Sequence, residues 1–274
     1  MFSMELLYGK PVADEILNRL KSEISLSAQK PGLAVILIGN DQASKIYVGL
    51  KEKTAKEIGM NFFRFDLDEK VSENEVIERI KKLNHDNLVH GIIVQLPLPE
   101  GLNTNKIIST IDPKKDADGF SGKLPPVFPQ AILKLIESSE QKKSRKKGIV
   151  IANSEIFGET MTNILGQEEI ASEYILSKDI SSKLEKVREA DIVVSAVGSP
   201  GLLKGEMLKD GSIIIDGGIE KVGEKVIGDV DFASTEGKNG FLSPVPGGVG
   251  PVTIACLLSN VWTAFEAQQK EKND

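Results

Sequence analysis

The chain predicts an α/β protein with a mostly parallel sheet, and three observations carry that prediction. Short apolar runs alternate with segments of helical period along its length. The run Gly32-Leu-Ala-Val-Ile-Leu-Ile-Gly39 is apolar at every position between its glycines, as a strand covered on both faces must be. The alternation restarts at Gly148, after a change of composition beyond Phe120, so the 274 residues divide into two modest units in series.

In the first unit, Ser44 to Ile58 has helical spacing and stops at Gly59, a residue common just past a helix end. Asn61-Phe-Phe-Arg-Phe-Asp66 predicts a second strand. Ser72-Glu-Asn-Glu75 is a capping-box sequence, opening a helix that runs to about Leu83. His90 to Leu96 predicts a third strand, halted by Pro97 and Pro99, which lack the N–H that a central ladder needs. The basic run Gln141-Lys-Lys-Ser-Arg-Lys-Lys147 reads as a solvated loop. Strand Ile149–Ala152, helix Ile156–Leu165, strand Ser172–Leu176, helix Ser181–Ala190 and strands Asp191–Val197 and Ser212–Asp216 follow. That is the order of a doubly wound, dinucleotide-binding unit. Gly250 to Lys270 again has helical spacing and turns polar at its end.

Composition excludes several classes of function. A net charge of −6 argues against broad nucleic-acid binding, which needs a basic face to neutralise phosphates. Cys256 is the only cysteine, so no internal disulfide forms, and its apolar surroundings predict an inert core thiol in a reducing cytoplasm. Met1-Phe-Ser-Met-Glu-Leu-Leu lacks the basic start and apolar core of a signal peptide. No apolar run reaches the roughly 20 residues that span a bilayer. His85 and His90 are the only histidines, and with no cluster of donors around them no metal is expected.

The chemistry concentrates in three stretches of the first unit. Tyr47 and Lys51 are four residues apart on a helix and share a face. Gln95 and the Pro97-Leu98-Pro99 turn lie past the third strand, where ligands of open α/β sheets sit. Asp118 stands in the turn Asp116-Ala-Asp-Gly-Phe120. Each has an ordinary alternative: an exposed Tyr–Lys pair, an amide bonded to a nearby loop, an Asp bonded to its own backbone. Together they supply an aromatic platform, an amine able to move a proton, an amide to orient it and a carboxylate.

In this order, with Pro244-Val-Pro-Gly-Gly-Val-Gly-Pro251 near the end, these stretches resemble the methylenetetrahydrofolate dehydrogenase/methenyltetrahydrofolate cyclohydrolase family. Its Tyr-x-x-x-Lys helix, Val-Gln-Leu-Pro-Leu-Pro strand end and Lys-Asp-x-Asp-Gly-Phe turn have counterparts in Tyr47 and Lys51, Val94 to Pro99, and Lys115 to Phe120. Pro31 to Val35, His90-Gly91 and Gly228 to Phe232 match as well. The resemblance implies a folate-binding catalytic domain at 1–121, completed by a returning C-terminal helix at 250–274, and a Rossmann-like domain at 122–249. It implies a folate bound by Tyr47, Lys51, Val94, Gln95, Leu96, Pro97, Asp118, Pro246, Gly247 and Gly248. Tyr47 would stack on the p-aminobenzoyl ring, Asp118 would bond the pteridine, and the Gly247-Gly248 backbone would close over the folate. Catalysis would fall to Lys51 with Gln95, Tyr47 and Asp118. Burial beside a bound cation lowers an amine's pKa from its reference of about 10.4 toward the working pH.

The nucleotide end departs from the family pattern. There the strand exit reads Gly-Arg-Ser-x-x-Val-Gly-x-Pro, whereas Ala152-Asn-Ser-Glu-Ile-Phe-Gly-Glu-Thr160 keeps Ser154 and Gly158 but neither the Arg nor the Pro. An Arg would serve the 2′-phosphate of NADP; Asn153 is neutral, and Glu155 and Glu159 add negative charge. The family's Cys-His-Ser becomes Ile175-Leu176-Ser177, followed by Lys178, and the linker shrinks to Gly122–Pro129 with Val127-Phe128 in place of Cys-Thr. The implied nucleotide contacts are Ala152, Asn153, Ser154, Ser177, Val197, Gly198 and Ile219. NADP is the expected cofactor, with NAD as the alternative.

The expectation is therefore a cytoplasmic, homodimeric, bifunctional enzyme. It oxidises 5,10-methylenetetrahydrofolate and hydrolyses the methenyl product to 10-formyltetrahydrofolate. A cyclohydrolase with an impaired redox half and a non-catalytic folate-binding protein are the alternatives. The amine of Lys51 argues against the last, since a binding module has no need of it.

Overall fold

Three apolar strands and their helices form the first frame. The structure, a computed structural model, describes residues 4–142, 146–223 and 225–273. In chain order the elements begin with β1 (Met4–Leu6), α1 (Gly9–Leu26), β2 (Gly32–Ile38), α2 (Gln42–Glu57), β3 (Asn61–Leu67) and α3 (Glu73–His85). β4 (Gly91–Val94), α4 (Thr104–Ile108), α5 (Val127–Ser138), β5 (Lys147–Ala152), α6 (Glu155–Gln167) and β6 (Ala171–Leu176) follow. The chain ends with α7 (Leu184–Glu189), β7 (Ile192–Ala196), β8 (Ser212–Asp216), β9 (Glu220–Val222), β10 (Lys225–Ile227), β11 (Gly240–Leu242) and α8 (Val249–Asn273). They form two compact units: Asp14–Val127 with Ile254–Asp274, and Met1–Ala13 with Phe128–Thr253.

In the first of these units, β2 lies between β3 and β4 in a parallel sheet. Every residue of β2 is buried, as its unbroken apolar run requires. Ala34, Ile36 and Ile38 pack with Ile92 and Val94 against Val76, Ile80 and Leu83 of α3. Truncating one such isoleucine to Ala costs about 2–5 kcal/mol. The capping box at Ser72 is present: its hydroxyl accepts from Glu75 N, and the Glu75 carboxylate accepts from Ser72 N at 2.9 Å. α8 approaches β4 closely, because a Cβ on Gly91 would lie 2.8 Å from a Val261 methyl. His90, beside it, accepts from Gly32 N at 3.0 Å through Nδ1 and meets the Phe265 ring edge-on at 4.9 Å.

The other unit is a six-stranded parallel sheet in the order β1-β11-β8-β7-β5-β6. β6 lies on one side of β5 and β7 on the other, so the winding reverses at β5 and a crevice opens at the carboxyl ends of β5 and β7. Ile149, Ile151, Ile175, Val193 and Ile214 form its core with Val187, Leu203 and Leu208.

The structure differs from the sequence reading in several places. The first domain was expected to begin at residue 1, yet Met4, Glu5 and Leu6 pair with Gly240, Phe241 and Leu242 in the six-stranded sheet. A three-residue strand carries too little alternation to announce its partner. The helix expected over Ser181–Ala190 is a 3-10 turn at Ser177–Lys183 and then only Leu184–Glu189. Ser182 Oγ donates to Asp179 O at 2.8 Å, a local bond that competes with helix formation. Val127 to Pro129, read as linker, forms the first turn of α5. Helices α1 and α4, strand β11 and the β9–β10 ribbon were not anticipated. Of the basic run 141–147, residues 143–145 lie outside the described residues, as do residues 1–3 of the N-terminal stretch.

Candidate active site

The buried stripe of α2 consists of Ser44, Val48, Lys51 and Ala55, so a lysine occupies a position where a core side chain belongs. Lys51 is 7% exposed. Its Nζ donates to Gln95 Oε1 at 2.9 Å and lies 5.9 Å from the centre of the half-buried Tyr47 ring. Gln95 follows β4, where its N–H donates to Ile36 O at 2.8 Å and its own Nε2 donates to Leu96 O at 2.7 Å. The carbonyl end of the amide is thereby turned toward the amine. Burial pushes the Lys51 pKa down, and the negative charge of Asp118 opposes that shift. Burial pushes the Tyr47 phenol up.

Asp118 reaches the same place because Lys115–Ala117 runs along β4. Ile92 N donates to Lys115 O at 2.7 Å, and Ala117 N donates to Ile92 O at 3.3 Å. The turn role that the sequence allowed for Asp118 belongs to Asp116, which accepts from Gly119 N at 3.2 Å and Ser121 N at 2.6 Å. Among the described residues the Asp118 carboxylate accepts no hydrogen bond. Its pKa is raised to about 6 by burial; Lys51 pulls it down and Asp116 pushes it up. An amine and a carboxylate shifted toward each other suit proton transfer near neutral pH.

Other expected residues are placed differently. The Val94 side chain lies in the core. Leu96 is half-buried and Pro97 exposed at the strand exit. Pro246, Gly247 and Gly248 fall in the other unit, and both glycines have internal reasons. Gly247 has φ +106°, and a Cβ on Gly248 would lie 2.7 Å from Pro244 O. Asn260 was missed: its Nδ2 donates to Ala117 O at 2.9 Å and Pro125 O at 2.8 Å, holding both sides of the Asp118 loop from α8. A lone polar residue on the buried side of an apolar helix was the available signal.

At the carboxyl ends of β5 to β7 the expected nucleotide residues assemble. Ala152 is buried at the end of β5, and the Ser154 hydroxyl caps α6 by accepting from Phe157 N at 3.2 Å. Asn153 bridges two strand exits, donating through Nδ2 to Val197 O at 2.7 Å and accepting from Ser177 Oγ at 2.6 Å. Gly198 has φ +76°, and a Cβ there would sit 3.4 Å from the carbonyl of the exposed Ile219. Gly158 lets α6 touch β6: its Cβ would lie 2.6 Å from the Tyr174 ring. A switch-point crevice, a capped helix start and bare backbone fit a dinucleotide. Near these strand exits α6 carries Glu155 and Glu159, and the exposed Lys178 follows Ser177. Asp216 and Asp229, both buried in this unit, were also missed as functional candidates.

Fold and site together define a two-unit α/β enzyme with a buried lysine, glutamine and aspartate brought together in one unit and a doubly wound dinucleotide frame in the other. Residues 7–118 match the tetrahydrofolate dehydrogenase/cyclohydrolase catalytic domain, and residues 126–269 match the NAD(P)-binding domain of the same family. The bifunctional protein FolD of Vesicomyosocius okutanii is 39% identical over 97% of this chain and 100% of its own length. That of a Wolbachia species is 40% identical over 93% of each. Among solved structures, the Trypanosoma brucei methylenetetrahydrofolate dehydrogenase-cyclohydrolase, complexed with NADP and an inhibitor, superposes with a TM-score of 0.91 at 31% identity, covering 98% of this chain and 99% of that one. The Campylobacter jejuni enzyme gives 0.90 at 35% identity, covering 97% and 100%. The chain belongs to the tetrahydrofolate dehydrogenase/cyclohydrolase family.

Proposed function

We propose that the protein oxidises 5,10-methylenetetrahydrofolate with NADP, or with NAD, and hydrolyses the methenyl product to 10-formyltetrahydrofolate. The observation that carries this reading is the buried Lys51 amine, bonded to the Gln95 carbonyl at 2.9 Å and coupled to an Asp118 carboxylate that no protein donor satisfies. Asp118 is the acceptor for the amino and N–H groups of the pteridine, and Tyr47 is the surface on which the aromatic ring stacks. In hydrolysis of a methenyl cation, the bond from the methenyl carbon to N5 breaks as the formyl group forms, and the carbinol oxygen releases its remaining proton to solvent. The reaction also removes a proton from the attacking water and delivers one to N5. Lys51 does both: the bound cation and burial favour the free amine, which accepts the first proton and then returns it. Gln95 bonds the amine in either state without fixing its charge, which a Glu would do.

The nicotinamide, when bound, supplies the hydride acceptor. The chain's part in that step is placement: Val197, Gly198 and Ile219 form the wall beside the β5–β7 crevice, and Asn153 ties its two sides. Asn153, Glu155 and Glu159 favour a second reading, in which the redox half is weakened and hydrolysis persists. Two absorbance assays separate them. Nicotinamide reduction with methylenetetrahydrofolate tests oxidation, and decay of methenyltetrahydrofolate tests hydrolysis; absence of both would refute the enzyme. A homodimer follows from the family resemblance, and the exposed Val222 and Val226 of the β9–β10 ribbon suit it; light scattering reads the mass. The single buried Cys256 suits a cytoplasmic setting, and among the described residues no helix is long and apolar enough to cross a membrane.

A further inference from the structure

One line of hydrogen bonds joins five strand exits of the six-stranded sheet. Ser177, after β6, donates to Asn153, after β5, and Asn153 donates to Val197 O, after β7. Val197 N donates to Asp229 Oδ2 at 2.8 Å, and Asp229 N donates to Asp216 Oδ1 at 3.0 Å, at the end of β8. Asp216 N donates in turn to Ser243 Oγ at 2.8 Å, just past β11. The belt follows the order of the strands in the sheet.

Asp229 is its node. The residue is fully buried, and Oδ2 also accepts from Ser195 Oγ at 2.6 Å while Oδ1 accepts from Ser199 N at 2.7 Å. Gly198, between the two donating amides, has φ +76°, and the N–H groups on either side of it converge on one carboxylate, as in a backbone nest for an anion. The anion here is the protein's own side chain. Gly218 is moulded on it too, since an added Cβ would lie 2.2 Å from the carboxylate. Among the described residues no Lys or Arg pairs with Asp229 or Asp216, so the belt holds two carboxyl groups by hydrogen bonds alone. An apolar residue would fill the space at less cost in desolvation. What it would lack is a grip on the β7 exit loop.

We propose that Asp229 is a positioning residue for hydride transfer: its carboxylate sets Val197-Gly198-Ser199 and Gly218-Ile219 as the rigid wall against which the nicotinamide is placed. The inference rests on the dehydrogenase reading above. Asp229→Asn replaces one carboxylate oxygen by an NH2, which then faces either the Ser199 amide or the Val197 amide with the Ser195 hydroxyl, so one side of the loop loses its acceptor and loosens. Ser195→Ala removes one donor and leaves both loop amides bonded.

The test uses the full chain with NADP and both folate substrates. In Asp229→Asn, the KM for NADP rises about tenfold or more, while kcat for methenyltetrahydrofolate hydrolysis stays within about twofold. Ser195→Ala stays within about threefold in both assays. Equal nucleotide KM and kcat in folded Asp229→Asn and wild type would overturn the assignment. If that variant does not fold, hydrogen exchange on the wild type decides: Val197 and Ser199 amides are expected to be protected without nucleotide, and exchange at free-loop rates refutes the role. A wild type that reduces no nicotinamide removes the dehydrogenase reading and this inference with it.

Discussion

Asp116 and Asp118 stand two residues apart on one loop with opposite tasks. Asp116 is bonded to two backbone amides, whereas Asp118 has none and faces Lys51. Asp116→Asn is expected to destabilise the fold by about 1–3 kcal/mol, because a buried amide loses its acceptor. Asp118→Asn is expected to keep the fold and lose folate affinity. Paired denaturation and folate-binding measurements check both, and equal folate affinity in Asp118→Asn and wild type would end the pteridine assignment.

Protonation of Asp118 predicts a pH dependence. Its folded pKa of about 6 lies above the ordinary 3.8. Its contribution to stability is therefore fully present below pH 3.8 and lost as the pH rises through 6. Relative to wild type, Asp118→Asn gains stability between pH 4 and pH 8, read from denaturant midpoints. Folate affinity runs the other way, strengthening as the carboxylate ionises.

Lys51→Met is expected to lower hydrolysis by about 10²–10⁴-fold while folate still binds. Gln95→Glu places a carboxylate against the amine and holds it protonated, so the rise of kcat with pH moves to higher pH. A pH–rate profile for methenyltetrahydrofolate decay distinguishes that shift from a simple loss of binding.

Asn153→Arg adds a charged, multi-donor group at the strand exit. A charge-assisted bond of about 1.5–3 kcal/mol predicts a preference for NADP over NAD raised about tenfold or more. Steady-state kinetics with both nucleotides measures the ratio. An unchanged ratio would place the 2′-phosphate elsewhere, with Lys178 the next residue to replace.

Asn260→Ala leaves the carbonyls of Ala117 and Pro125 without their donor. The expected loss is about 1–3 kcal/mol of stability, with a fall in hydrolysis through the loosened Asp118 loop. Restored hydrolysis in Asn260→Gln is not expected, since the longer side chain overfills the buried site.

The α/β class, the helices around Tyr47 and Ser72, and the strand exits at Gln95 and Ala152 were legible in the sequence because they depend on local signals. Apolar runs, a capping box and prolines act over a few residues, and Lys51 four positions from Tyr47 is helical geometry alone. What tertiary structure decided was which polar groups are satisfied. Asp116 and Asp118 are chemically identical in the chain; only the strand beside them assigns one to the turn and leaves the other open. β1 found its partner more than 230 residues away, and Asn260 and Asp229 acquired roles through bonds to distant carbonyls and amides. Periodicity reports which face of an element is apolar, but a hydrogen bond needs two groups brought within about 3 Å, and the folded chain alone supplies that distance.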